Sequence, residues 1–316
     1  MKKKLWIFTI ILLGVVIVFL YNPVYFGLVK EKKQMIFIGV DGVNVNEYNK
    51  ILSQGELPNF KKLVENGGLN SKALITGHSV TETAPGNAEL HTGLPASTTL
   101  VFDNTCGGVL PKGKTIFERL SVFDSNIKIG SIYGKGTCYL NVSLFKDAKK
   151  DILWWQDRAT YKQRKYVGDN CADSEDVANK SLEFLNAHKD DSFYLFVYFG
   201  APDCAGHTYG SPSNEYTDAL KNVDNGLGII LDDLKGDKNR PQIIISGDHG
   251  WNPNTKGHSQ TNLDTRKIIL ISNNSKLIDS RVEKKQCDIA PTILDYFGMN
   301  KSQYADITAN GCSSLR

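Results

Sequence analysis

The sequence predicts an α/β fold, a mostly parallel central sheet with helices on both faces, preceded by one N-terminal transmembrane helix. Short uncharged apolar runs recur along the chain, stretches with helical period lie between them, and the first 33 residues differ in kind from the rest.

After Lys2, Lys3 and Lys4, an uncharged apolar run from Leu5 to Tyr21 is long enough to span a bilayer with help from Val24 to Val29. A cleaved signal peptide, the competing reading, wants a shorter run and a small-residue cleavage site, which NPVYFGLVKEKK lacks. The leading lysines keep the N-terminus cytoplasmic and put the remainder outside, although Lys30, Lys32 and Lys33 weaken the asymmetry. The expectation is a single-pass cell-membrane protein with residues 1–33 as tip, anchor and linker and residues 34–316 as one extracytoplasmic domain; the alternative is secretion after cleavage. Residues 1–33 carry six Lys and one Glu, so the net charge of +3 leaves the domain at −2. The basic balance is therefore mostly membrane flank, and no nucleic-acid-binding surface is expected.

Within the domain, MIFIGV (35–40) is a continuous apolar run ending at Asp41, as a buried parallel strand would be. In TETAPGNAELHTG, Pro85 can begin a helix that ends near Gly93 and sets Thr83 at its N-terminal mouth. The runs YLFVYFG (194–200), IIIS (243–246) and IILIS (268–272) read like the first strand. Between them, Tyr216, Leu220, Val223, Leu227, Ile230 and Leu234 step by fours and threes, the stripe of a helix over 215–234 that faces a sheet. A last helix is expected over 288–297, with Asp288 as N-cap and Gly298 as its stop. Residues 138–170, with Trp154, Trp155 and several cations, show no period and read as an insertion on the substrate side of the sheet; the alternative is a solvated excursion whose tryptophans cover core.

Six widely spaced cysteines form no C-x-x-C pair, which disfavours a thiolate zinc site, and their even number suits an oxidising exterior. Their pairing is left open.

The chemistry resides in a joint arrangement. Asp41 closes the first strand, Asp203 and His207 follow the strand at 194–200, and Asp248 and His249 follow the strand at 243–246, with His258 shortly after. Loops leaving strand C-termini converge on one sheet edge, so these six side chains can meet. Asp and His are the ligands that zinc accepts when thiolates are absent. Two groups, one of Asp203, His207 and His258 and one of Asp41, Asp248 and His249, would hold two ions about 4 Å apart, a clamp for both oxygens of an in-line phosphoryl displacement. At the mouth of its helix, Thr83 is then the nucleophile, where unpaired amides and the helix dipole favour an anion.

IGVDG (38–42), TAPGNAELHTG (83–93), Asp103–Asn104, APDCAGHTYG (201–210), GDHG (247–250), GHS (257–259) and DIAPTILDYFG (288–298) together resemble the alkaline phosphatase superfamily. The nearest branch is the type I phosphodiesterase/nucleotide pyrophosphatase group, and the likeness runs from about residue 35 to 300. It implies that Asp41, Asp248 and His249 bind the metal that contacts Thr83. It further implies that Asp203, His207 and His258 bind a second, and that Asn104 donates to a phosphoryl oxygen. The implied cofactors are two divalent ions, Zn²⁺ above all or Mn²⁺. The implied partner is a small phosphate-ester or nucleotide-like substrate. T-A-P-G-N lacks the Cys or Ser and the Arg of a sulfatase signature, which disfavours sulfate esters. The strand region IKIGSIYGKG (127–136) supplies Lys135 but no Arg two positions on, so the pair that grips a monoester in related phosphatases is incomplete and diesters are favoured. Lys135, Trp154 and Trp155 are the candidate substrate-side residues. The alternatives are a phosphomonoesterase, or a membrane-bound transferase of phosphoethanolamine or glycerophosphate groups. His78, His91 and His188 have no place in the pattern and read as structural.

Overall fold

The structure, a computed structural model, describes residues 31–65, 67–105, 110–135, 171–237, 240–258, 262–279 and 283–316, together with the backbone of 154–158. In chain order the elements are β1 (Gln34–Val40), α1 (Val45–Ser53), α2 (Pro58–Glu65), β2 (Leu69–Leu74), α3 (Thr83–Thr92), α4 (Ala96–Thr99), α5 (Ile116–Phe123), β3 (Lys128–Tyr133) and β4 (Trp154–Arg158). Then come α6 (Ser174–His188), β5 (Phe193–Phe199), α7 (Ala201–Tyr209), α8 (Asn214–Asp233), β6 (Gln242–Gly247), β7 (Lys267–Ser272), α9 (Ile289–Phe297) and α10 (Ala305–Ala309). The proposed membrane span lies outside the described residues, among which no helix is long and apolar enough to cross a membrane.

The strands form one seven-stranded sheet in the order β2-β7-β6-β1-β5-β3-β4. β1 lies between β5 and β6 and is parallel to both, and β3 is parallel to β5 and β4. The sheet is nevertheless mixed, because β7 runs antiparallel to β6 and β2. Its sequence, KIILIS, was expected to be parallel like the others. A continuous apolar run reports burial on both faces, not strand direction. The chain leaves β6 at the C-terminal edge, stays there through a short 3₁₀ turn at Leu263–Arg266, and so enters β7 heading back.

Alternation along each strand divides the core in two. Phe37, Phe196, Tyr198, Ile244 and Leu270 pack with α3, α5 and α9 on one face. Ile36, Ile38, Val197, Ile245 and Ile271 pack with α1, α2, α6 and α8 on the other. The predicted stripe of α8 is buried from Tyr216 to Ile230, each such side chain contributing about 1.5–3 kcal/mol. His91 sits in the first layer, edge-on to Phe37 and Phe196, where burial lowers its pKa to about 3 and keeps it neutral, in keeping with a structural role.

Asp288 occupies the N-cap position of α9 without a side-chain cap; its carboxylate instead accepts from the backbone of Lys285 and Ser313. The segment 154–158, expected to be aperiodic, supplies the edge strand β4. The rest of the expected insertion, 138–153 and 159–170, lies outside the described residues. Among the described residues there are two disulfides, Cys171–Cys204 and Cys287–Cys312. The first closes a separation of 33 residues, which in the chain-entropy account stabilises the fold by about 4 kcal/mol.

Candidate active site

The parallel register brings the candidate residues to one edge. Val40 is level with Phe199 and with Gly247, so Asp41, the Gly200 turn and Asp248 leave three adjacent strands at the same height. Tyr133 pairs with Tyr198, which brings Lys135 out beside them. Pro202 sits in the first turn of α7 and helps start it, and the helix carries Asp203 and His207 four residues apart on one side.

Asp203 is the hub. Its Oδ1 lies 3.5 Å from His207 Nε2, 3.7 Å from His249 Nε2 and 3.8 Å from His258 Nε2. Two groups can each bring three ligand atoms within 4.8 Å of one another: Asp203, His207 and His258, and Asp41, Asp203 and His249. The first is the group expected from sequence. In the second, Asp203 stands where Asp248 was expected. Asp248 is turned to other work: Oδ1 accepts from the amides of Gly42 and His249, and Oδ2 accepts from Tyr198 and Asn87. Its nearest approach to His249 Nε2 is 3.9 Å. A further group, Cys287, Asp288 and Cys312, is closed by its disulfide.

These residues fit a divalent cation. Asp203 Oδ1 is buried without a hydrogen-bond partner, and His249 Nε2 is buried beside it, 3.2 Å from Asp41 Oδ1, a costly gathering of polar atoms that a cation relieves. His249 and His207 turn Nδ1 to the carbonyls of Gly250 and Lys256, leaving each Nε2 facing the carboxylates, as the second shell of a metal site does. His207 is half exposed, so the site opens to solvent on that side.

The electrostatics are those of buried acids around cations. Burial opposes ionisation of Asp41, but Lys135 and His249 override it and hold the carboxyl below its usual range. Burial and the Asp41 charge together push Asp248 up to about 7. Burial opposes charge on His249 as well, but Asp248, Asp41 and Asp203 raise its pKa to about 10. His258 is driven down to about 2, by burial first and then by His249 and His207.

Thr83, 2% exposed, is the first residue of α3, with Glu82 as N-cap. Its hydroxyl lies 3.4 Å from Asp41 Oδ1 and 3.3 Å from Lys135 Nζ. The amides expected to be unpaired here are in part used: Ala84 N donates to Asn104 Oδ1 at 2.8 Å, and Pro85 has none. That bond fixes the Asn104 carboxamide beside Thr83. Lys135 was expected to face the substrate. Its ammonium lies instead 2.5 Å from both Asp41 Oδ2 and Asp203 Oδ2, because two neighbouring buried carboxylates draw in the nearest cation. Trp154 and Trp155, expected on the substrate side, open the edge strand β4 and pair with Ile129 and Gly130 near the start of β3, several residues before the edge to which β3 brings Lys135.

Sequence reasoning missed the supports. Asn87, one turn after Thr83, donates to Asp248 and to the carbonyl of Thr83, tying the start of α3 to the loop that follows β6. Gly86 is needed because a Cβ there would stand 2.4 Å from the carbonyl oxygen of Asp248. Both lie within T-A-P-G-N, and a polar residue four positions from Thr83, on the same helix face, was the available signal.

A family model described as type I phosphodiesterase / nucleotide pyrophosphatase matches residues 35–291. The chain is 30% identical over 204 residues to ectonucleotide pyrophosphatase/phosphodiesterase family member 3 of Mus musculus, covering 61% of this chain and 22% of that protein. To family member 7 of Rattus norvegicus it is 26% identical over 262 residues, covering 76% of this chain and 55% of that one. It thus spans about a fifth and about half of their lengths. Among solved structures, the alkaline phosphatase from the Antarctic bacterium TAB5 shares the fold, with a TM-score of 0.61 at 14% identity over 85% of this chain and 98% of that one. Since the family model takes in all six candidate ligands and most of the chain, the protein belongs to the type I phosphodiesterase/nucleotide pyrophosphatase family.

Proposed function

We propose that this protein hydrolyses phosphate diesters of nucleotide type with divalent ions, zinc above all, through a phosphothreonine at Thr83. The observation that carries the reading is Thr83 at the start of a buried helix, its hydroxyl on Asp41, beside two ligand groups that share Asp203. When bound, two divalent ions supply the positive charge that neutralises the phosphoryl group and lowers the pKa of the hydroxyl.

The chain's own residues do the rest. Asp41 Oδ1 accepts the Thr83 hydroxyl and aims its oxygen, while the N-terminus of α3 favours the anion forming there. Asn104, held by Ala84 N, offers its amide end to a non-bridging oxygen. Thr83 gives up its hydroxyl proton to solvent and Oγ1 forms the new bond to phosphorus, while the ester oxygen leaves and takes up a proton; water then cleaves the phosphothreonine, its oxygen bonding phosphorus, one of its protons returning to Oγ1 and the other passing to solvent. Two inversions give net retention. Asp248, fixed by Tyr198 and Asn87, holds the loop that presents His249.

The test is turnover of bis-p-nitrophenyl phosphate against p-nitrophenyl phosphate by the detergent-purified protein. Chelator is expected to abolish activity and Zn²⁺ to restore it, with the diester faster. Chelator-resistant turnover would sink the metal reading, and faster monoester turnover would move the protein to the phosphatase branch.

The anchor reading is tested separately. With the apolar segment 5–21 retained, the protein should stay with membranes through a high-salt wash and keep its Met1-proximal peptide. A chain starting near residue 30 would identify a cleaved signal.

A further inference from the structure

The geometry points to a second role for Lys135. We infer that its ammonium is a tethered competitor for the cation position beside Thr83, so that ions load in order, first at Asp203, His207 and His258, then more weakly at Asp41 and His249. This rests on the metal-dependent reading above.

Lys135 divides the oxygens of the site. It takes Oδ2 of Asp41 and Oδ2 of Asp203, and leaves Asp203 Oδ1 facing the imidazoles of His207, His249 and His258. An ion held by Asp203 Oδ1 with His207 and His258 therefore arrives without breaking a bond to the lysine. The group containing Asp41 is different. Asp41 Oδ1 meets His249 Nε2 at 3.2 Å, but the ammonium already bonds Oδ2 of both carboxylates and lies 3.3 Å from Thr83 Oγ1, the hydroxyl that an ion here would contact. A dication held there would share its carboxylates and the Thr83 hydroxyl with a like charge, so its binding would favour withdrawal of the lysine.

The lysine is built to reach in and to leave. Its side chain is 13% exposed between carboxylates that are at most 1% exposed. The stem runs along Gly200, where a Cβ would stand 2.6 Å from the Cβ of Lys135, so glycine at the start of α7 keeps the passage open. A strongly hydrated head on a flexible stem can return to water when displaced, as a guanidinium held in a fixed fork would not. In the metal-free protein the same ammonium offsets the repulsion of two buried acids.

Zn²⁺ binding to the full-length, metal-free protein in detergent, followed by calorimetry and chelator competition, tests this with wild type, Lys135→Met and Lys135→Arg. Wild type should show two unequal sites. Lys135→Met should tighten the weaker site at least about tenfold and leave the stronger within about threefold, whereas Lys135→Arg should not tighten it. A second measurement needs no variant: acetic anhydride should label Lys135 of the wild type faster in saturating Zn²⁺ than in chelator, as read by mass spectrometry. Equal weaker-site affinities in wild type and Lys135→Met, or labelling that does not accelerate with Zn²⁺, overturn the inference while leaving metal dependence intact. Absence of Zn²⁺ binding by wild type overturns the metal reading itself, and the inference with it.

Discussion

Thr83→Ala is expected to lower kcat by about four orders of magnitude or more, with zinc content and melting temperature nearly unchanged. The separation of activity from stability follows from position. Thr83 is the first helical residue and Glu82 is the N-cap, so alanine removes the hydroxyl without removing a side-chain cap. The Thr83 carbonyl, which accepts from Asn87, is kept. Asn104→Ala serves as the graded companion: it deletes one donor and should cost about 10²–10³-fold in kcat. Intact-mass analysis of rapidly quenched enzyme should show one phosphoryl adduct in wild type and none in Thr83→Ala. Substantial turnover by Thr83→Ala would place the nucleophile elsewhere.

Asp203→Ala is expected to abolish both zinc binding and turnover, a larger loss than removal of any single imidazole. Asp203 Oδ1 lies within 4 Å of His207, His249 and His258 together, and both ligand groups include this residue. Alanine leaves each group with two ligands at most, and leaves Lys135 with one carboxylate partner of two. Metal content by mass spectrometry, measured beside a His207→Ala control that keeps Asp203, provides the check. If Asp203→Ala retains a full complement of zinc, the two groups are independent and the hub is wrong.

The central strands were legible because their burial is written as uninterrupted apolar runs: 35–40, 194–200 and 243–246 fall within a residue or so of β1, β5 and β6. α8 was legible for a related reason, its stripe being long enough to fix a period. β2 was not, since LNSKAL is an edge strand with mostly partial burial and few apolar residues. β4 was hidden among charged and aromatic residues without alternation. Strand direction was illegible in β7 because it depends on where the preceding loop stays, not on the strand's own residues. In the site, the residue types and the shared edge could be read from strand ends. The sharing of Asp203 and the bond from Lys135 to two carboxylates depend on side-chain directions that spacing does not encode.

The position of β1 has a consequence for folding. The first strand of the domain is completed by partners more than 150 and more than 200 residues later, since Val40 pairs with Phe199 and Gly247. Contacts of such high order close late, after the intervening loops have been ordered. No local fragment can therefore pre-assemble the ligand edge, and an ion that binds there is linked to the global unfolding equilibrium, not to a local one. Bound zinc should accordingly raise the whole cooperative transition, by an amount set by its concentration relative to its dissociation constant.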